Sequence, residues 1–291
     1  MANLKELRLR INTVKNTRKI TAAMAQIASA RLRKAQNAVT AAQPYGERMS
    51  EVVAHLVAGI KPHDRAAAHP LLGARDVKAV MIIAMTADRG LCGGFNSNIN
   101  RRVKNLLEET REAGKKVELT AVGKKASSFF RHYGEKLEGR EHPAPTLETL
   151  VEQSKTLASA AIEAFQSKRV DEVVLVYNKF VSVLTQEATD LPLVPLVPAE
   201  VDGTVAEPTF EPDRGAILEH LVPVAIEAKI QQAMFNSIAA EIAARRVAMD
   251  AATDNASELI GDLTLEYNRE RQAAITKELM EIIGGAEALK G

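Results

Sequence analysis

Cysteine, aromatic residues and long apolar runs are scarce in this sequence. Cys92 is the only cysteine among 291 residues, so the chain has no internal disulfide and no paired-thiol switch. Tryptophan is absent and aromatic residues make up 4% of the chain, which fits alanine-rich helix interfaces better than a β-sandwich or a site that stacks ligands on rings. No apolar run reaches the roughly 18 residues of a membrane-spanning helix. We therefore expect a soluble protein of a reducing compartment.

Proline and glycine are scarce at both ends of the sequence, and this favours two very long helices. Residues 2–43 contain neither, and residues 224–283 contain only Gly261. A helix over residues 214–283 would be about 100 Å long, several times the length of an ordinary globular helix, so it needs a partner helix or an enclosing sleeve. Because the apolar pattern continues past Pro44, we expect this proline to kink the first helix and not to end it.

Apolar residues in both end segments recur in alternating steps of four and three, the pattern of a coiled-coil seam. In the first segment the seam is Leu4, Leu7, Ile11, Val14, Arg18, Thr21, Ala25, Ala28, Leu32, Ala35, Val39 and Ala42. In the last segment it is Ile217, Leu221, Val224, Ala228, Gln231, Phe235, Ile238, Ile242, Arg245, Met249, Ala252, Ala256, Leu259 and Leu263. The chain between them must leave and return at one end of the pair, so we expect an antiparallel coiled coil.

Charge is sorted between the two ends, although the formal net charge is only +1. Residues 1–43 carry nine Lys or Arg against the single Glu6, whereas residues 241–283 carry nine acids against five bases. Six acids recur at four-residue spacing: Asp250, Asp254, Glu258, Asp262, Glu266 and Glu270. This acidic row either faces the basic first helix or forms a solvated face. The basic start resembles a transit peptide, but its apolar pattern continues too far, so we expect it to belong to the mature structure.

The middle of the sequence, residues 70–210, has the pattern of an α/β domain. Apolar segments of strand length at 77–84, 117–122 and 172–183 alternate with helical patterns at 99–107, 125–133 and 147–165. This alternation predicts a small, largely parallel sheet covered by helices. The proline-spaced segment 191–198 is interpreted mainly as the link to the last helix, with at most an edge strand at its start.

These patterns predict one fold class and three segments. The fold is α/β: a long antiparallel coiled coil of the terminal helices with an inserted, mostly parallel, Rossmann-like domain. Residues 1–60 would form the N-terminal coiled-coil helix, residues 70–210 the central domain, and residues 212–288 the C-terminal helix. Because the last helix is the longer one, we expect an unpaired apolar tip near Ile282 and Ile283 that needs a sleeve.

A glycine-rich turn at residues 88–95 follows the first predicted strand, where a doubly wound domain would bind phosphate. It matches neither G-x-G-x-x-G nor a P-loop, so we favour tight turn packing over nucleotide binding. Asp88 is interpreted as a helix N-cap and Arg89 as a surface residue, in preference to a catalytic pair. Cys92 has no histidine near it in sequence and is interpreted as a buried small apolar residue. The six histidines lack metal-ligand spacing, so we expect no metal site. Together with the interpretations of the turn, Asp88 and Cys92, this leads us to expect no catalytic residue and no cofactor.

Four segments distributed over the whole chain are specific enough to indicate a family. They are the opening LKELRLRINTVKNTRKITAAM, the turn DRGLCGGFN, the short YNKF at residues 177–180, and the closing LTLEYNRERQAAITKELMEIIGGAEAL. In this order they resemble the gamma subunit of F-type ATP synthase, most closely its bacterial and mitochondrial branch. The resemblance implies a non-catalytic central-stalk rotor. Such a rotor couples proton-driven rotation of the membrane c ring to ATP synthesis or hydrolysis in the alpha-beta hexamer.

The resemblance also implies partners and contacts. One copy would bind three alpha and three beta subunits, epsilon and the c ring. It would bind no nucleic acid and would reach the membrane only through the c ring, on the cytoplasmic face of the bacterial inner membrane or the matrix face of a mitochondrion. The implied beta-subunit contacts are Met24, Arg271, Gln272, Thr276 and Glu278. The residues implied to lie toward the c ring are Tyr177, Asn178, Lys179 and Phe180.

Two further functions stay open from the sequence. A dinucleotide-dependent enzyme would explain only the central sheet, and a coiled-coil nucleic-acid binder would explain only the basic first helix. A rotor shaft explains the helix lengths, the seams, the sorted charge and the missing active site together. The chain also lacks the cysteine-bearing insertion of the chloroplast version, so the resemblance implies no thiol control.

Overall fold

A computed structural model describes residues 4–58, 60–137, 141–198 and 213–288 of the chain. Its helices are α1 (Leu4–Val57), α2 (Arg65–Ala68), α3 (Phe95–Glu112), α4 (Lys124–His132), α5 (Leu150–Gln166) and α6 (Arg214–Ala288), with a 3-10 turn at Pro70–Leu72. Its strands are β1 (Ala79–Met85), β2 (Lys116–Val122), β3 (Glu172–Phe180) and β4 (Gln186–Val194). The chain divides into two compact units, residues 1–28 with 246–291 and residues 29–245.

The larger unit, residues 29–245, is built on a four-stranded sheet of order β2-β1-β3-β4. Strand β1 runs parallel to β2 and β3, whereas β4 is antiparallel to β3. Alternate residues of β1 enter different cores because successive side chains of a strand point to opposite faces. Val80 and Ile82 pack with α3 and α4, and Met81 and Ile83 pack with α5 and with residues of α1 and α6. Both faces are covered, which confirms the predicted small, mostly parallel sheet.

Strand β4 corrects the interpretation of residues 191–198 as mainly a link, because the strand occupies Gln186–Val194. Strand β3 also ends earlier than predicted, at Phe180. A turn follows in which the Ser182 amide donates to the Thr185 carbonyl over 3.0 Å. Strand β4 is hard to recognise in the sequence because it lies at the edge of the sheet, where polar and apolar residues do not alternate as clearly as in a buried strand. The edge also tolerates Pro192, which has no N–H to donate.

The outer strand is fixed to α3 by an ion pair. Arg102 Nε lies 3.1 and 3.0 Å from the two carboxylate oxygens of Asp190 on β4. At the opposite edge, Leu137 and His142 form isolated bridges with β2. The chain at residues 137 and 142 therefore covers part of the β2 edge, whereas β4 at the other edge is attached to α3 through a side chain.

The smaller unit, residues 1–28 with 246–291, contains the predicted antiparallel pair. Leu7 and Ile11 of α1 pack with Leu263 of α6, and the hydroxyl oxygens of Thr21 and Thr253 lie 2.8 Å apart. The partner position on α6 falls as the position on α1 rises, so the two helices run in opposite directions. The polar Thr21, which interrupts the apolar seam, is accommodated by the hydroxyl of its partner.

The seam of α1 follows the sequence prediction, and α1 continues through Pro44 to Val57 as expected. Its buried members are Leu7, Ile11, Thr21, Ala25, Ala28, Leu32 and Ala35. Arg18, which already broke the apolar pattern, is exposed. Small residues at these positions let neighbouring backbones approach closely, because a methyl group needs little space between helices.

The seam predicted for α6 is wrong at alternate positions beyond residue 249. Met249, Ala256 and Leu263 are buried as predicted, but Leu259 is 44% exposed and Ile260 is half-buried in its place. The predicted seam is also one residue early at its start, because Leu218 and Val222 are buried whereas Ile217 and Leu221 are half-buried. A single strict repeat does not describe the buried face of α6, because the helix packs against the sheet as well as α1 in the larger unit and against α1 in the smaller unit.

Candidate functional site

The residues implied to contact the beta subunits lie in the smaller unit at two separate levels. Arg271, Gln272, Thr276 and Glu278 are exposed on α6, and Met24 is half-buried on α1. The contact between Thr21 and Thr253 places Met24 near the start of this unit's part of α6. Arg271 follows Thr253 by about 18 residues, or about 27 Å along the helix. The structure therefore brings the four α6 residues together and leaves Met24 apart from them; the contacts themselves stay predictions.

The last turns of α6 form an exposed apolar stripe. The large side chains on it are Ile275, Leu279, Met280, Ile282 and Ile283, which are 48–72% exposed. Ile275, Leu279 and Ile282 follow one another at four- and three-residue spacing and so share one helix face. Contiguous exposed apolar surface of this kind marks an interaction site. The exposed tip expected at Ile282 and Ile283 is present.

The acidic row of α6 is a solvated surface within the smaller unit. Asp250, Asp254, Glu258, Asp262 and Glu266 are all exposed. Arg246 Nε lies 3.6 Å from Asp250 Oδ2 one turn away on the same helix. On α1, Arg8, Arg10, Lys15 and Lys19 are likewise exposed. The two helices of this unit thus present surfaces of opposite charge to solvent, and the solvated-face interpretation is supported.

The residues implied to lie toward the c ring belong to the end of β3, where most of them hold the larger unit together. Tyr177 is 8% exposed and Asn178 is fully buried, and burial raises the pKa of the Tyr177 hydroxyl. The Asn178 amide donates to the Phe95 carbonyl over 2.9 Å, while Phe180 packs against the cluster that contains Ala240 of α6. Lys179 is exposed. A c-ring contact stays a prediction for these residues.

The glycine-rich turn at residues 88–95 follows β1, and α6 packs against its buried residues, Cys92 and Phe95. Much of the rest of the turn, including Leu91, is exposed. Cys92 is buried and packs in one cluster with Ala240 and Ala244. Arg245 Nη2 donates to the Gly90 carbonyl over 3.2 Å. Burial raises the pKa of the Cys92 thiol, and nearby Glu241 raises it further, so the thiol is unsuited to act as a nucleophile. These contacts support the interpretation as tight turn packing.

The Asp88 carboxylate binds an amide at the start of a helix, as the sequence predicted, but that helix is not the next one along the chain. Asp88 Oδ1 accepts from the Lys124 amide at 2.9 Å and the Ala144 amide at 3.2 Å, so it serves the start of α4 and not of α3. At α3, Asn96 Oδ1 accepts from the Ala87 amide at 2.9 Å. The sequence therefore predicted the capping role of the Asp88 carboxylate, whereas the fold determines which helix it caps.

Glu241 and Arg245 form a mostly buried ion pair that the sequence analysis missed. Arg245 Nη1 lies 2.5 Å from Glu241 Oε1, and 17% and 19% of their side chains are exposed. Burial raises the pKa of Glu241, while Arg245, Arg31 and Arg89 act in the opposite direction. The only signal in the sequence was that Arg245 interrupts the apolar seam. Four-residue spacing to Glu241 makes the pair geometrically possible.

The described ranges contain neither a group of metal ligands nor a membrane-spanning helix. Over those residues, no three His, Cys, Asp or Glu side chains gather as metal ligands would. None of the helices in the described ranges is both long and apolar enough to cross a bilayer. That the chain uses no metal or cofactor stays a prediction.

Known proteins match this chain along its whole length. The family model described as ATP synthase matches residues 3–289. The chain is 41% identical to the ATP synthase gamma chain of Geobacter metallireducens and 42% identical to that of Pelotomaculum thermopropionicum. Each alignment covers 100% of this chain and 100% of the relative.

Solved structures with the same fold are central parts of ATP synthases. The chain superposes on one from the Euglena gracilis mitochondrial ATP synthase rotor with a TM-score of 0.66 at 17% identity, covering 94% of this chain and 98% of that one. A chain of the Tetrahymena thermophila mitochondrial central stalk and c ring gives a TM-score of 0.59 at 21% identity, covering 80% and 99%. These likenesses confirm the predicted fold class of terminal helices around an inserted sheet.

Proposed function

The chain belongs to the ATP synthase gamma chain family, and from this premise we propose that it is the non-catalytic rotor shaft of an F-type ATP synthase. It couples rotation of the membrane c ring to ATP synthesis or hydrolysis in a hexamer of alpha and beta subunits. Its partners are three alpha and three beta subunits, epsilon and the c ring, with one copy per complex and no nucleic acid. It is peripheral, on the cytoplasmic face of the bacterial inner membrane or on the matrix face of a mitochondrion.

The antiparallel pair of the smaller unit is the observation that carries the proposal. Its α6 ends in an apolar stripe, Ile275 to Ile283, that the described part of α1 does not cover. Exposed apolar side chains at this density favour enclosure by partner subunits. One helix of the pair is basic at its surface and the other is acidic. A shaft with unlike sides inside a threefold collar favours a different state at each beta subunit as it turns.

A non-catalytic role is supported because protein residues occupy the position where a doubly wound sheet usually binds its ligand. Ligands bind such sheets at the carboxyl ends of the strands, where the strand order reverses. Here the 88–95 turn and α6 fill that position, with Arg245 bonded to Gly90 and Cys92 packed beneath. The geometry therefore argues against the dinucleotide-dependent enzyme that the sequence left open.

Reconstitution with alpha and beta subunits tests the rotor proposal. We expect the full chain to co-purify with them at one copy per hexamer and to be required for sustained ATP hydrolysis. A probe fixed to the exposed Lys179 should rotate during hydrolysis. Failure to associate with alpha and beta, together with binding of a nicotinamide nucleotide by the free chain, would establish the enzyme instead. A salt-dependent shift of DNA by the free chain would favour the nucleic-acid binder.

A further inference from the structure

A polar contact joins α6 to the 88–95 turn of the sheet. It is made by Arg245, Glu241 and the Gly90 carbonyl, which we call the clasp. Arg245 uses one terminal nitrogen for Glu241 Oε1 at 2.5 Å and the other for the Gly90 carbonyl at 3.2 Å. The planar guanidinium fork fixes both directions at once, which a lysine could do only with a flexible point charge. Glu241 thus orients Arg245, and Arg245 orients the turn.

The layer beneath the clasp is apolar. Ala87, Cys92 and Phe95 of the turn region pack with Ala240 and Ala244 of α6. Apolar packing is non-directional, so this layer holds the turn close to α6, whereas the bonds made by Arg245 fix the direction of the turn relative to the helix.

Charge from three elements converges on Glu241. Arg245 is bonded to it on α6, and Arg31 of α1 and Arg89 of the turn lie close enough to act on its carboxylate. Arg31 and Arg89 are exposed, so solvent screens them more than it screens Arg245. Breaking a mostly buried pair by removing one partner is strongly unfavourable because it leaves the other charge uncompensated. Arg245 is therefore the partner on which the arrangement depends most.

We propose that Arg245, oriented by Glu241, is a positioning residue that fixes the 88–95 turn on α6, in addition to the apolar core that joins the sheet to the same helix. The mechanical consequence rests on the proposed rotor function: with the clasp intact, torque applied to the sheet reaches α6 through the turn as well as through the apolar core. With the clasp open, the turn separates from α6 more readily and the apolar core alone carries the torque.

Cys92 reports directly on the clasp because it is the single thiol of the chain and lies under the turn. In the free full-length chain, we expect Arg245→Leu to accelerate maleimide modification of Cys92 by about tenfold or more, as expected when a local opening becomes easier. Arg245→Lys should restore most of the protection, because an ammonium still reaches a carboxylate and a carbonyl. Arg246→Leu is the matched control, since Arg246 pairs with exposed Asp250 one turn away on α6, and should leave the rate unchanged.

An unchanged Cys92 rate in folded Arg245→Leu would overturn the clasp. If Arg245→Leu does not fold, Glu241→Gln replaces it, because the amide keeps the shape and removes the charge that orients Arg245. We then expect about a threefold acceleration. An unchanged rate in that variant overturns the proposal equally.

Coupling is tested in the reconstituted complex in proton-tight vesicles. We expect Arg245→Leu to keep ATP hydrolysis but to lower protons pumped per ATP by at least about twofold, the lower range for coupling mutations. Arg245→Lys should restore the ratio, which a general loss of stability would not predict. An unchanged ratio contradicts the mechanical consequence. If the wild-type chain fails to assemble, the rotor proposal fails, while the thiol measurement on the free chain still decides the clasp.

Discussion

Any residue type other than glycine at position 123 would cost considerable folding free energy, because of both the backbone conformation and the surroundings there. Its φ is +90°, and a Cβ atom there would lie 2.2 Å from the carbonyl oxygen of Thr86. Gly114 also has positive φ, +73°, but a Cβ atom would meet nothing within 4 Å. The two glycines therefore separate backbone strain, which both share, from steric overlap, which only Gly123 has.

We predict that Gly123→Ala destabilises the chain by about 2–4 kcal/mol, because backbone strain and overlap with a fixed backbone carbonyl add. The matched control, Gly114→Ala, should cost only about 1 kcal/mol. Urea unfolding followed by circular dichroism measures both. Equal losses in the two variants would show that the approach of Thr86 to Gly123 is unimportant.

Arg111 and Glu135 make stability depend on pH. Arg111 donates to the two carboxylate oxygens of Glu135 over 2.7 and 2.6 Å, and these bonds hold the pKa of Glu135 below its usual range. Between the folded and the unfolded pKa, the unfolded chain binds more protons than the folded chain. The contribution is therefore present above the ordinary glutamate pKa and is lost as pH falls through the folded pKa.

We predict that Arg111→Gln lowers the free energy of unfolding by about 0.5–1 kcal/mol at neutral pH, a modest loss because Arg111 is half exposed. The difference from wild type should shrink as the pH falls below about 4. Urea titrations at a series of pH values measure it, with Arg48→Gln in the exposed Arg48–Glu51 pair as the control of near-zero effect. A difference that is constant across pH would assign the loss to packing alone.

At the scale of the element, the contact between Thr21 and Thr253 sets the register of the antiparallel pair. Each hydroxyl also lies near a carbonyl of its own helix, Arg18 at 3.1 Å and Met249 at 2.8 Å. One hydroxyl therefore donates to its own backbone and accepts from the other. A one-residue slip would remove this partner and leave a polar group facing alanine methyl groups, which is unfavourable.

We predict that Thr21→Val and Thr253→Val each cost about 1 kcal/mol, since each leaves the other hydroxyl without its partner across the pair. The double variant should cost less than the sum, because two methyl groups then pack together. Exposed Thr264, whose hydroxyl donates to the Ile260 carbonyl of its own helix, supplies the control Thr264→Val. Strict additivity in thermal unfolding would show that the two hydroxyls do not interact.

Elements were predictable from the sequence where burial leaves a periodic pattern. Absence of proline and glycine predicted α1 and α6, and continuous apolar runs predicted β1 and β3. Strand β4 was missed because its edge position leaves polar and apolar residues without clear alternation. The seam of α6 departs from a strict repeat because the helix packs against the sheet as well as α1 in the larger unit and against α1 in the smaller unit. Glu241 and Arg245 could not be found, since their role depends on the turn that the fold brings to them.

At the scale of the whole molecule, the exposed end of α6 is where we expect the collar to be engaged. Arg271 and Gln272 are adjacent and so point about 100° apart around the helix. Arginine suits a bidentate contact with a carboxylate, and glutamine adds a neutral hydrogen bond. Both are exposed, so the isolated chain does not depend on either for its core.

We predict that Arg271→Leu with Gln272→Leu lowers ATP hydrolysis by the reconstituted complex at least severalfold. About 2–4 kcal/mol of charge-assisted bonding would be lost at one rotor angle. Circular dichroism of the free chain should stay unchanged, because leucine has high helix propensity. The neighbouring exposed Arg269→Leu serves as the control. Unchanged hydrolysis and synthesis in the double variant would show that Arg271 and Gln272 make no energetically important contact with the beta subunits.

The covered edges of the central sheet bear on how the chain behaves before it meets any partner. An open edge strand is a template for aggregation between identical chains. Pro192 removes one donor from β4, the carboxylate of Asp190 on that strand is engaged by Arg102, and Leu137 and His142 lie against β2. Newly made copies are thus discouraged from joining through their sheets. Because the proposed function needs one copy of the chain per complex, edges that resist pairing between copies suit that role.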